Sequence, residues 1–279
     1  MKADLFRQHA VYERHHWWFV ARRRIVARLV RELVPPSRNH IIVDVGCGTG
    51  ANVAEFARDY TSIGIDTSPD GIALAKKNFP DCSFKVGYAP EDLGDVAGRA
   101  DMFLLMDVLE HVRDDVALFT GLMAAAKPGA LALVTVPANP ALWSSHDVVH
   151  MHYRRYTPER IRVLWDGVPL TPLLVTHFNT RLYPVVRLAR ALANARGRSV
   201  GEHGTDLSLP PAPINRMLTG VFAGETARLL QGLRHTSLDT GRPGVSLMAV
   251  VRRDAGPMTR RERPAELAAS DLHDPERAA

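Results

Sequence analysis

Apolar positions recur along the chain at two spacings, and the chemistry sits where one gives way to the other. Across residues 12–34, Trp18, Ile25, Leu29 and Leu33 return at three to four and at seven. This is the repeat of a helix with one buried stripe, and it leaves Arg22, Arg23 and Arg24 largely on a solvated face. Pro35 and Pro36 end it. From Ile41 the period shortens. Residues 41–45 are a buried-strand run, 46–50 a glycine-rich turn, and 51–60 a helix turning Val53, Phe56 and Ala57 inward. A second strand, 62–66, ends on Asp66, and Ser68 with Pro69 caps a helix reaching about Asn78.

Strands at 83–87, 101–106 and 130–136 follow, with a helix over 113–126 between the last two. Such alternation predicts an α/β fold with a parallel sheet covered on both faces. Beyond Pro137 a polar, His-rich loop runs to Tyr156, and Thr157 with Pro158 starts a short helix. Two more strands fit 171–178 and 244–253. Helices near 182–196 and 214–234, joined by a Gly/Pro-rich linker at 197–213, form an insertion beside the sheet. Residues 254–279 carry little apolar surface and read as a mobile tail.

Composition narrows the function. With 279 residues and 46% hydrophobic content the chain can bury a large core, which excludes a disordered protein. The net charge is +5, but nine cations against three acids in residues 1–40 hold all of it. A remainder without positive charge is a poor nucleic-acid binder. Cys47 and Cys82 are too few for a disulfide framework and fit a reducing cytosol. The first residues lack the apolar core of a signal peptide, and Lys127-Pro128-Gly129 cuts the longest apolar stretch. A soluble, cytoplasmic protein without stable membrane insertion is expected.

Asp44, Gly46, Gly48 and Gly50 occupy the strand-to-helix turn, where glycines let the backbone approach a ligand. Gly46, Gly48 and Ala51 also satisfy the relaxed dinucleotide fingerprint, with Asp66 about 20 residues on. Spacing alone leaves both nucleotide readings open. The segments VDVGCGTGANV, SIGIDTS and DMFLLMDVLEHV together resemble the first, second and fourth strand motifs of class I S-adenosylmethionine-dependent methyltransferases. YERHHWWFVARRR, LWSSHDVVHMHYRRYTPERI, FNTRLYP and GRPGVSLMAVVRR are similar to the bacterial subgroup related to ubiquinone-type and other small-molecule methyltransferases. The resemblance spans about residues 12–253.

It implies a Rossmann-like, mostly parallel sheet with a final antiparallel strand, and S-adenosyl-L-methionine as cofactor. A single domain, 1–253, would comprise a lid helix (12–34), a cofactor half (41–137) and a substrate-side loop and insertion (138–243). Gly46, Cys47, Gly48 and Gly50 would pass beneath the methionine and ribose. Asp66, followed by Thr67, would accept the ribose hydroxyls, and Asp44 would pin the turn or meet the ammonium group. Met106 and Asp107 would line the methionine end, with His111 towards the methyl. Trp17, with Trp18 and Phe19, would close over the cofactor. Tyr88 stands where many members have an acid for adenine. Either Glu91 or Asp92 takes that role, or Tyr88 covers the ring while the backbone near Ala89 bonds it.

The loop after the fifth strand holds His146, Asp147, His150 and His152 within seven residues. The i, i+4 pair His146 and His150 would share a helix face and resembles a metal half-site, but further ligands and thiolates are not evident, so no metal is expected. His146, Asp147 and His150 are the candidates for base or substrate-orienting work. Arg154, Arg155 and Tyr156 would tether an acidic substrate or pair with Asp147. The acceptor would be an amphiphilic or aromatic small molecule methylated on O, N or C, with oxygen favoured. An NAD(P)-dependent oxidoreductase, with a continuous six-strand parallel order, and a catalytically degenerate scaffold are the competing readings.

Overall fold

The computed structural model describes residues 3–195, 207–238, 241–264 and 267. The apolar runs form β1 (Ser37–Val45), β2 (Tyr60–Asp66), β3 (Ser83–Val86), β4 (Met102–Met106), β5 (Leu131–Pro137), β6 (Leu170–Phe178) and β7 (Ser246–Arg253). Helices α1 (Ala3–His15) and α2 (Trp17–Leu33) precede them. Helices α3 (Ala51–Phe56), α4 (Pro69–Asn78), α5 (Asp95–Arg99) and α6 (Asp115–Ala125) alternate with the first five strands. Then come α7 (Ser145–Val149) and α8 (Pro158–Arg162), and between β6 and β7 lie α9 (Tyr183–Ala195), α10 (Ala212–Ala223) and α11 (Thr226–Arg234). As the sequence predicts, Ser68 caps α4 through Gly71 N–H, and Thr157 caps α8 through Arg160 N–H.

One seven-stranded sheet runs β3-β2-β1-β4-β5-β7-β6. Strands β1 to β5 pair in parallel, and β7 enters antiparallel between β5 and β6. That is the Rossmann-like order with an antiparallel final strand, and it departs from the continuous parallel order of the oxidoreductase reading. The period of two along each strand splits the core into two layers. Val43, Phe103, Leu105 and Val134 pack under Phe119 and Leu122 of α6. Ile42, Leu104, Leu133 and Met248 pack under Ile25 and Leu29 of α2, with Phe222 of α10 and Leu229 of α11. The predicted insertion thus covers the sheet together with the N-terminal helices.

Four expectations are corrected. The 12–34 helix is two helices broken at His16, whose extended backbone and ring cap α2 by accepting the Trp18 N–H. The apolar stripe runs through the break, so spacing hides it. Arg22 is buried rather than solvated, because it shares the face of Trp18, Ile25 and Leu29, while Arg24 and Arg28 are exposed. The 214–234 helix breaks at Glu225, whose buried carboxylate accepts the Thr180 and Arg181 N–H groups at 2.8 and 2.9 Å. Finally, residues 254–264 are held against the body. Thr120 Oγ1 accepts the Arg261 N–H at 2.8 Å, Arg261 donates to Val163 O at 2.7 Å, and Met258 packs on the core. Guanidinium hydrogen bonds do there what apolar surface would otherwise do. The linker residues 196–206 and most of the predicted tail, 265–266 and 268–279, lie outside the described residues.

Candidate active site

The carboxyl ends of β1, β2, β4 and β5 open on one cavity of about 910 Å³, where ligands of open α/β sheets bind. The start of antiparallel β7 and the residue after β6 reach the same rim, through Ser246 and Asn179. At the β1–β2 end, Gly46 turns with φ +70°, and a Cβ there would lie 2.6 Å from Val108 Cγ2. Only glycine passes this point unstrained. The Asp66 carboxylate accepts the Gly48 N–H at 2.9 Å and the Ser68 N–H at 2.8 Å. It therefore ties the glycine turn to the next strand while keeping lone pairs for a ligand.

Helices α1 and α2 roof this end. Glu13 accepts the Thr49 hydroxyl, and burial pushes its carboxyl above the usual range. Asn215 of α10 bridges the break between the two helices, accepting the Trp17 N–H at 2.9 Å and donating to His15 O at 2.7 Å. Arg22 lies over the Trp18 ring, 4.4 Å from its centroid, and pairs with Asp107, which has a left-handed backbone with φ +58°. Trp17, Trp18 and Phe19 line the cavity beneath.

The opposite end is built by the loop after β5. Arg154, fully buried, donates to Leu109 O, Val112 O and Arg113 O at 3.1, 2.7 and 2.7 Å. Tyr153 N–H adds a bond to Glu110 O at 2.7 Å. The loop is thereby bolted to the turn after β4 that carries Glu110 and His111. Asp147 accepts from Arg155 at 2.9 and 3.0 Å and meets His152 Nδ1 at 2.8 Å. His152 and Arg155 hold its carboxyl well below the usual carboxylate range. Burial and mutual repulsion push His146 and His111 well below the ordinary histidine value and His150 down to about 4.

Of the sequence-predicted residues, Gly46, Cys47, Gly48, Asp66, Thr67, Ala89, Met106, Asp107, His111, Trp17, His146 and His150 line this cavity. Asp44, Gly50 and Asp147 do not. Asp44 is buried in β1, where desolvation raises its carboxyl to about 8. Gly50 is required by packing, since a Cβ would meet Phe84 Cζ at 2.6 Å. Asp147 is fully enclosed and completes a capping box with Ser144 in α7, so it orients His152 and does not face a substrate. Arg155 pairs with Asp147, one of the two roles expected for it. Glu91 and Asp92 also stay out of the cavity. Asp92 accepts the Tyr88 N–H at 2.8 Å, and Tyr88, 68% exposed, lines the rim with Ala89.

Sequence reasoning missed Arg22 and Glu110, and it left His152 out of the candidate set. Arg22 was legible in its helical phase with Ile25 and Leu29. Nothing local marked Glu110 or singled out His152 among its neighbours. Burial also pushes the Cys47 thiol upward, which removes it as a nucleophile.

A family model described as a methyltransferase domain matches residues 17–175. Trans-aconitate 2-methyltransferase of Deinococcus radiodurans is 30% identical over 207 residues, covering 73% of this chain and 66% of that protein. A ubiquinone biosynthesis O-methyltransferase of Nitrobacter winogradskyi is 34% identical over 143 residues, covering 49% and 54%. The chain thus spans less than two thirds of the length of either relative. Among solved structures, the complex of the Haloferax volcanii Trm112 activator with a methyltransferase described as putative superposes with TM-score 0.53 at 15% identity, covering 91% of this chain and 96% of that one. The [4+2]-cyclase SpnF gives 0.51 at 16%, covering 83% and 80%. These two show the fold.

Proposed function

The chain belongs to the class I S-adenosylmethionine-dependent methyltransferases, and from that membership we propose that it methylates an oxygen of a small-molecule acceptor. The observation that carries the proposal is the Asp66 carboxylate. It is bonded to the glycine turn yet open to the same cavity as the histidine-rich end. The residues fit the donor. Gly46 admits no side chain, Asp66 keeps acceptor capacity for a ribose diol, and Trp17, Trp18 and Phe19 supply an aromatic wall to the cavity. When bound, S-adenosylmethionine supplies an activated methyl group, so the protein's work is alignment and exclusion of water.

The acceptor would enter on the β5–β7–β6 side, between Val185, Val186 and Ala189 of α9 and the histidines. Two features favour oxygen. Arg113 and Arg190 line this end and would repel a protonated amine, and the neutral imidazoles of His111, His146 and His150 can accept a hydroxyl hydrogen bond. The trans-aconitate and ubiquinone relatives, whose names carry an acid and a quinone product, are compatible with an oxygen nucleophile. The test is incubation of the protein with S-adenosylmethionine and panels of phenols, catechols and di- and tricarboxylic acids, with S-adenosylhomocysteine and methylated product followed by mass spectrometry. Methyl ethers or esters are expected. Product only from amines refutes the oxygen assignment, and absence of measurable donor binding refutes the whole reading.

A further inference from the structure

We propose that Asn179, with Ser246 and Arg190, forms a subsite for an α-hydroxycarboxylate group at the β6 end of the cavity. Asn179 directly follows β6, within the FNTRLYP segment, and lines the cavity at 1% exposure. Neither its amide nitrogen nor its amide oxygen has a hydrogen-bond partner among the described residues, and no other buried side chain among them leaves two such atoms unpaired. Its left-handed backbone, with φ +55°, does not account for this. Glycine would make the same turn without burying two unpaired polar atoms, which is costly. A ligand that both accepts and donates at this wall removes the cost.

The neighbours of Asn179 decide the chemistry. Ser246 of β7 is the register partner of Phe178, and it lines the cavity together with Arg190 of α9; both are buried. Val186, one turn before Arg190, packs with Val245, which precedes Ser246, and Arg190 is positioned by donating to Leu142 O at 2.8 Å. The guanidinium, Asn179 Nδ2 and the Ser246 hydroxyl can all donate, which suits a carboxylate. Asn179 Oδ1 then needs a donor beside it, and a hydroxyl on the adjoining carbon supplies one. The wall is rigid, because buried Glu225 accepts the Thr180 and Arg181 N–H groups at 2.8 and 2.9 Å. Strand β6 lies three places from β4 in the sheet, about 14 Å away. With a hydrogen bond of about 3 Å at each end, a molecule held here would carry its acid group about 8 Å from an oxygen at the β4 turn. That the bound acid is the methyl acceptor rests on the methyltransferase reading; its binding does not.

The test is calorimetric binding of three probes to the full-length protein, with and without S-adenosylhomocysteine. The probes are para-hydroxyphenyllactate, para-hydroxyphenylpropanoate, which lacks the α-hydroxyl, and tyrosol, which lacks the carboxylate. Wild type should bind the lactate about 100-fold more tightly than tyrosol and about fivefold more tightly than the propanoate. Asn179→Gly keeps the left-handed turn, so a role in the turn alone predicts unchanged affinities. The subsite predicts instead that the fivefold preference disappears and that the lactate binds about tenfold more weakly or worse. Should that variant fail a thermal melt, Asn179→Asp keeps the shape and sets a negative charge against the acid; it should weaken both acids about tenfold or more and spare tyrosol. Wild type that shows no preference for the lactate, or does not bind it below about 10 mM, overturns the subsite, as do wild-type affinities in the folded variants. The expected preferences without any S-adenosylhomocysteine binding uphold the subsite and sink the methyltransferase reading instead.

Discussion

Replacing Asp66 with Asn isolates the group on which donor binding is proposed to depend. The native carboxylate takes backbone N–H bonds on both oxygens, at 2.9 and 2.8 Å, and would take ribose hydroxyls on its remaining lone pairs. Asn keeps the shape but turns one oxygen into an NH₂ group, which must then face a backbone N–H or a ribose hydroxyl that is itself donating. Hydrogen bonds to a charged acceptor contribute about 1.5–3 kcal/mol each, so losing the equivalent of one to two amounts to about 3 kcal/mol. That corresponds to a rise of about 150-fold in the dissociation constant of S-adenosylmethionine, and a similar rise for S-adenosylhomocysteine, which carries the same ribose. Calorimetry with both ligands measures it, with a thermal melt to show that the variant is folded. At saturating donor, turnover should change less than KM, because Asp66 lies at the far end of the cavity from the histidines. A folded Asp66→Asn protein whose affinities stay within about threefold of wild type would falsify the assignment.

Other outcomes follow from the same geometry. Gly46→Ala should destabilise by about 2–4 kcal/mol in urea unfolding, from the left-handed backbone and the contact with Val108; Val108→Ala in the same chain should recover part of it, and additive effects would refute the steric account. Arg22→Met should cost about 3 kcal/mol by leaving Asp107 unpaired, and Arg22→Met with Asp107→Asn should regain most of that in the same assay. His16 is buried and pushed down to about 4, so the unfolded chain binds its proton more readily between about pH 6.5 and 4. Its contribution to stability is whole above pH 6.5 and shrinks as pH falls through that window, by at most about 1.4 kcal/mol per unit. His16→Asn, which can still cap α2, should flatten the pH dependence of the urea midpoint between pH 7 and 4.5; an unchanged slope would count against the burial argument.

The sheet and the glycine-turn end of the cavity were legible in the sequence because both are local. Short apolar runs, a glycine turn and an acid at a strand end each occupy a few consecutive residues, and β1 to β5 fall where those patterns predict them. The acceptor end was not, for a physical reason. Its geometry is set by side chains reaching across the fold, such as Arg154 to the carbonyls of Leu109, Val112 and Arg113. The i, i+4 spacing of His146 and His150 does bring their rings to 4.3 Å. The histidine held by Asp147, however, is His152, because the capping box turns that carboxylate inward. Likewise the breaks at His16 and Glu225 are decided by distant partners, Asn215 being one, and leave the apolar spacing undisturbed.

The antiparallel entry of β7 bears on the order in which the molecule assembles. Val43 pairs with Ile63, a short distance along the chain, whereas Val134 must wait for Ala249. Closing so long an interval costs more entropy, so the nucleotide-facing half can consolidate during synthesis before the other wall exists. Until the last strand arrives, Leu133 and Val134 present an uncovered edge to any passing β-segment. Truncations that remove residues 246–253 should therefore yield aggregates, not a smaller soluble donor-binding fragment.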